Sequence, residues 1–164
     1  MASTTLIAAS PASAASYHCK TSSKSIDQAN YSGPLPDQWD VTTKLCARRS
    51  GSYLYAYAFV SWDGPVSISG VDDKSIFDAA RFRLQIKKSQ SGTDPVKTST
   101  DYYGIEAKLE DSTSNANYNN SYTTGTIKWK AGSSRGLADG VLQLDWRRCC
   151  GGYHSYDFSA SPVV

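Results

Sequence analysis

The run Tyr53-Leu-Tyr-Ala-Tyr-Ala-Phe-Val60 restricts more than any other stretch what this chain can fold into. Each odd position from Tyr53 to Phe59 is aromatic, and each even position from Leu54 to Val60 is aliphatic. A period of two belongs to a pleated strand, where successive side chains leave opposite faces. Both faces of this strand are apolar. It must therefore lie between two covering layers or expose an aromatic row.

The same period recurs along the chain. Trp39 to Arg48 puts Trp39, Val41, Thr43 and Leu45 on one side. Ala80 to Lys88 sends Phe82, Leu84 and Ile86 inward and Arg81, Arg83, Gln85 and Lys87 outward. Tyr102 to Glu110 reads as a strand with Tyr103, Ile105, Ala107 and Leu109 inward. Thr123 to Lys130 turns Ile127 and Trp129 in, and Lys128 and Lys130 out. Val141 to Arg148 aligns Leu142, Leu144 and Trp146, and Tyr153 to Phe158 is the last candidate. Val66 to Val71 suggests a short strand, and Asp72 to Ala79 a single helical turn capped by Asp72 or Asp73.

The segments between carry turn chemistry. Gly51, the Asp63-Gly64-Pro65 run, the polar loops Ser89 to Thr100 and Asp111 to Ser121, and the Gly/Ser-rich Ala131 to Gly140 all break the pattern. Ala15 to Gln38 reads as an extended lead-in and Ser159 to Val164 as a tail. Thirteen of the fifteen acidic residues are Asp, the two others being Glu106 and Glu110, and there is one Met, so strong helix formers are scarce. About seven or eight short strands without a convincing helix predict an all-β fold. The expected architecture is an antiparallel β-sandwich, or a partly open barrel, stapled by disulfides.

The first charge of the chain is Lys20. Before it, TLIAASPASAA ends in Ala12-Ser13-Ala14, the small-residue pattern of a secretory cleavage site in the Ala/Ser-rich style of bacterial signals. Residues 1–14 are read as the remainder of a signal segment, and 15–164 as one secreted, extracellular domain. Four cysteines in an exported chain imply two disulfides among Cys19, Cys46, Cys149 and Cys150. Adjacent Cβ atoms on an extended chain point apart. The expected bonds therefore run from Cys149 and Cys150 to Cys19 and Cys46, closing loops of about 100 residues, each worth about 4–5 kcal/mol in the chain-entropy account.

A formal charge of +2 gives no argument for nucleic acid or an anionic membrane surface. No apolar run reaches the roughly 18 residues of a membrane span. No cofactor or metal motif stands out. Asp63, Asp72, Asp73 and Asp78 crowd one region but lack the EF-hand spacing. Glu106 and Glu110, four apart on a strand, would sit about 13 Å apart, too far for a glycosidase pair. His154 with Asp157 is the one conceivable acid–base pair, and no nucleophile elbow accompanies it.

The aromatic row has the most functional content, because such strips stack on sugar rings or receive another protein. Tyr53, Tyr55 and Tyr57, with Tyr153 and Tyr156, are the expected ligand-binding residues. Tyr102, Tyr118 and Tyr122 are further surface aromatics. The basic side chains Arg81, Arg83 and Lys87, if joined by Lys128, Lys130, Arg147 and Arg148, would suit an acidic polymer. The expected role is non-catalytic binding of an extracellular or cell-wall polysaccharide. The alternatives are a secreted protein-interaction module, an inhibitor or antagonist presenting the Asp111 to Ser121 loop, and a hydrolase centred on His154.

Overall fold

The computed structural model describes residues 15–33, 37–66, 74, 76–112 and 117–164. Among these it forms nine strands and one short helix. The strands are β1 (His18–Ile26), β2 (Trp39–Ser50), β3 (Tyr53–Asp63), β4 (Phe77–Lys88), β5 (Val96–Tyr102), β6 (Asn120–Thr123), β7 (Ile127–Lys130), β8 (Gly136–Trp146) and β9 (His154–Asp157). The helix α1 spans Ile105–Leu109.

All pairing within the sheets is antiparallel, and the two sheets form a sandwich. The first runs β1-β2-β3, with β6 and β7 sharing the far side of β3. The second runs β5-β4-β8-β9. Between β6 and β7 the ladder is interrupted, and Thr124 takes its place: its Oγ1 accepts from Ala58 N at 2.9 Å, and its own N donates to Ala58 O at 3.0 Å.

The alternation in the sequence becomes the core. From the first sheet come Trp39, Val41, Leu45 and Ala47, then Leu54, Ala56, Ala58, Val60 and Trp62; from the second come Ala80, Phe82, Leu84, Ile86, Leu142, Leu144 and Trp146. Each large side chain of this set contributes about 1.5–3 kcal/mol by leaving water. Ala56 and Ala58 are small because the layers nearly touch at mid-sheet. Gly140 shows how closely: a Cβ there would lie 2.6 Å from Phe82 and 2.9 Å from Leu45 of the opposite sheet. Both sides of the sandwich are bridged. Tyr102 Oη donates to Gly125 O at 2.8 Å on one, and on the other Ser159 N donates to Ser22 Oγ at 3.0 Å.

Six expectations need correction. Tyr102 to Glu110 is not a strand: β5 ends at Tyr102, and α1 buries Ile105 and Leu109 while Tyr103 and Ala107 are exposed. The spacing of four satisfies a helix as well as a strand, and the helix lets both apolar residues reach the core. The lead-in contains β1 and the Ser89 to Thr100 loop contains most of β5. Both are edge strands, whose polar faces lack the alternation of a half-buried strand. The C-terminal tail continues the sheet, with Gly136 and Val164 exchanging hydrogen bonds of 3.0 and 2.8 Å and Ser161 N donating to Ala138 O. Phe77 to Ala79 opens β4 instead of forming a helical turn. Of the short strand expected from Val66 to Val71, residues 67–71 lie outside the described residues, as do Asp72 and Asp73.

The sixth correction concerns the cysteines. Cys19 pairs with Cys46, and Cys149 with Cys150. Cys19 and Cys46 stand directly opposite each other on β1 and β2, with Cα atoms 4.1 Å apart. The adjacent pair lies in the turn between β8 and β9, where Arg148, Gly151 and Gly152 take positive φ angles of 63°, 60° and 82°. An extended chain keeps neighbouring cysteines apart, but that argument does not hold inside a turn.

Candidate functional site

Strand register decides what each sheet shows to solvent. On β3 the even side chains are buried, so Tyr53, Tyr55, Tyr57 and Phe59 form the outward row. Tyr53 is 37% exposed and Phe59 39%, while Tyr55 and Tyr57 are half-buried beneath their neighbours. The partners across the strands follow from the pairing. Ser50 and Lys130 flank Tyr53, Arg48 and Lys128 flank Tyr55, Cys46 flanks Tyr57, and Lys44 and Thr123 flank Phe59. Next come Thr42, Ser61 and Ser121, and then Asp40 beside Asp63.

The row is held in place by its own chemistry. The Arg48 guanidinium lies between two rings, 5.0 Å from the centroid of Tyr17 and 4.9 Å from that of Tyr55. Such stacking adds about 0.5–1 kcal/mol at an exposed site and more where water is excluded. Tyr17 also meets Tyr57 edge-on at 4.8 Å, and Tyr53 lies 6.4 Å from Tyr55. The Cys19–Cys46 disulfide anchors the strand end that carries Tyr17, and so supports both contacts. Lys128 Nζ stands 6.0 Å over the Tyr53 ring.

The second sheet presents a different surface. Arg83 grips Asp101 through two hydrogen bonds of 2.7 and 2.9 Å, and Arg81 reaches the same carboxylate at 2.9 Å. The Arg83 hydrogen bond holds the Asp101 carboxyl below its ordinary range, against the upward pull of burial. Lys87 pairs with Asp139, and Arg147 with Asp78 at 2.7 Å. Arg81 also donates to Gln143 at 2.8 Å, and Gln143 to Ser155 at 2.9 Å. The expected basic patch is therefore divided. Arg81 and Arg83 share Asp101, and Lys87 and Arg147 each pair with an acid, on the second-sheet side, while Lys128 and Lys130 belong to the first sheet.

The five expected ligand-binding tyrosines do not share a face. Tyr53, Tyr55 and Tyr57 do. Tyr153 lies on the second sheet beneath Arg81, whose guanidinium is 4.3 Å from its ring, and partial burial raises its phenol pKa. Tyr156 turns toward the core, where its Oη accepts from Trp146 Nε1 and donates to Gln28 Oε1, each at 3.3 Å. Burial raises its pKa as well. Tyr118 is wholly buried and Tyr102 and Tyr122 are partly so.

The candidate chemistry elsewhere is taken up by structure. His154 and Asp157, three apart on β9, pair with Leu144 and Val141 of β8 and so project to opposite faces. Glu106 and Glu110 support the irregular start of β4: Glu110 Oε1 accepts from Phe77 N at 3.0 Å and Glu106 Oε2 from Ala80 N at 2.9 Å. Burial pushes the Glu110 carboxyl up, and the Phe77 and Ile76 amides pull less strongly the other way. These glutamates border a surface cavity of 340 Å³ with Lys74 and Tyr103. Among the described residues no group of three or more His, Cys, Asp or Glu is placed to hold a metal ion.

The outer face of the first sheet thus carries a row of four aromatics in register, while the exposed Tyr103 and Tyr153 form a smaller group around Arg81 of β4. Known protein families, curated proteins and solved structures offer no match to this chain. The site must be read from its own residues. Sequence reading missed Tyr17, Lys44 and Arg48 as members. Lys44 and Arg48 have the same parity as Cys46, which would have placed them on the disulfide's face had the Cys19–Cys46 pairing been evident.

Proposed function

We propose that this chain is a secreted, non-catalytic binding module that takes an extracellular or cell-wall polysaccharide along β3. The observation that carries the reading is the outward row Tyr53, Tyr55, Tyr57 and Phe59. Alternate strand positions are separated by about 6.6–6.8 Å, so the four rings span about 20 Å, enough to stack against several successive sugar rings. The hydroxyls of Thr21, Ser23, Thr42, Ser61 and Thr123 border the row and suit hydrogen bonding to sugar hydroxyls. Rings braced by Arg48 and the disulfide lose little freedom on binding, which favours affinity. The N-terminal Ala12-Ser13-Ala14 pattern and the disulfides support export.

Sedimentation with insoluble chitin, cellulose and bacterial cell wall tests this. The oxidised protein should co-sediment with at least one, and the Tyr53→Ala/Phe59→Ala variant should stay in the supernatant with nearly unchanged Tm. Binding to none of these and to no soluble polysaccharide, or equal binding by the variant, would reject the reading.

A further inference from the structure

We infer that the polysaccharide bound by this face is an acidic one, carrying carboxylate or sulfate groups, an inference that rests on the binding role proposed above. The two sheets differ in how they handle charge. On the second, Arg81 and Arg83 share Asp101, Lys87 pairs with Asp139 and Arg147 with Asp78, and only Lys88 and Lys97 of its strands have no ion-pair partner among the described residues. On the first, Lys44, Arg48, Lys128 and Lys130 have no ion-pair partner among the described residues, and all four stand in register with the aromatic row. Tyr53 has Lys130 beside it, Tyr55 has Arg48 and Lys128, and Phe59 has Lys44.

The nearest acids of this face in register, Asp40 and Asp63, stand two alternate steps beyond Phe59. That is about 13 Å along the strand, more than the screening length of about 10 Å at 0.1 M salt. Asp40 is also engaged by the Ser25 hydroxyl. The potential over the rings is therefore positive. Four cations spread over about 20 Å of rings match a chain that presents one negative group every sugar or two, with its ring faces free to stack. The hydroxyl-rich border of the row suits a sugar, whose own hydroxyls it can meet.

Affinity electrophoresis in native gels tests the inference. Gels containing polygalacturonate, alginate, hyaluronan or heparin are compared with gels containing fully methyl-esterified pectin, which keeps the polygalacturonate backbone without its charge. The wild type should be retarded by at least one acidic polymer and much less by the ester. Raising the salt to 1 M, where the screening length is about 3 Å, should abolish the effect. Lys44→Gln/Lys128→Gln/Lys130→Gln changes only exposed side chains and should weaken binding by about tenfold or more at unchanged Tm.

Equal retardation by esterified and free pectin would overturn the charge inference and leave the aromatic reading standing, as would sedimentation with a neutral wall polymer without retardation by any acidic one. Loss of binding in the lysine variant but not in Tyr53→Ala/Phe59→Ala would remove the aromatic reading instead. A single-stranded oligonucleotide that displaces the acidic polymer at lower concentration would overturn the inference in favour of nucleic acid.

Discussion

Removing the Cys19–Cys46 bond should cost this domain a large share of its stability. The two cysteines are 27 positions apart, and closing a loop of that length removes about 12 cal/mol/K from the unfolded ensemble, or about 3.5 kcal/mol at 25 °C. A domain of this size loses about 2–4 °C of Tm per kcal/mol, so Cys19→Ala/Cys46→Ala should melt about 7–14 °C lower than the wild type. Alanine is the right replacement because Cys46 is fully buried, and serine would add an unsatisfied hydroxyl. The Cys149→Ala/Cys150→Ala control opens a ring that encloses no intervening chain, and should change stability by less than about 1 kcal/mol. Urea unfolding of both variants, alongside wild type with and without reductant, measures the two costs. The reasoning fails if the first variant lies within about 1 kcal/mol of wild type. It also fails if peptide mapping under non-reducing conditions joins Cys19 or Cys46 to the Cys149-Cys150 pair.

Three further outcomes follow from the interior. Gly140→Ala places a methyl group against Phe82 and Leu45 and should destabilise by about 1–3 kcal/mol, read from the urea midpoint. Thr43 is fully buried with its hydroxyl unpaired among the described residues, so Thr43→Val should stabilise by about 1 kcal/mol in the same assay. Glu110 has its folded pKa raised by burial, so the folded state binds more protons than the unfolded, and stability is lost as pH rises from about 4.3 through the folded value. Glu110→Gln removes that slope. The variant should gain on wild type between pH 4 and pH 7 in urea unfolding, and a gain in the opposite direction would contradict the assignment.

How much of this was legible depended on whether a strand has one wet face. Trp39 to Arg48, Ala80 to Lys88 and Val141 to Arg148 alternate because one side meets the core, and each forms a strand with the expected residues buried. β1 and β5 are sheet edges, so sequences such as Lys20-Thr-Ser-Ser-Lys24 carry no period to detect. Ile105 and Leu109 fit periods of two and of 3.6 equally, and only the tertiary position of α1 separates them. The Tyr53 row was ambiguous for a related reason. Its other face carries alanines, which look too small for a core until a facing layer as near as that at Gly140 is known. The pairing of the cysteines and the separation of the basic residues were hidden, because both depend on strand order and register.

The central claim is that the β3 face of the first sheet is the ligand surface. Amide chemical-shift mapping of the isotope-labelled protein, titrated with oligomers of the acidic polysaccharide that retards it most strongly, tests it most directly. The account predicts saturable shifts confined to Tyr53 to Phe59 and their register neighbours Lys44, Arg48 and Lys128, with the Arg81–Tyr153 surface silent. Shifts centred on Arg81, Tyr103 and Tyr153, or no shifts at all, would contradict it.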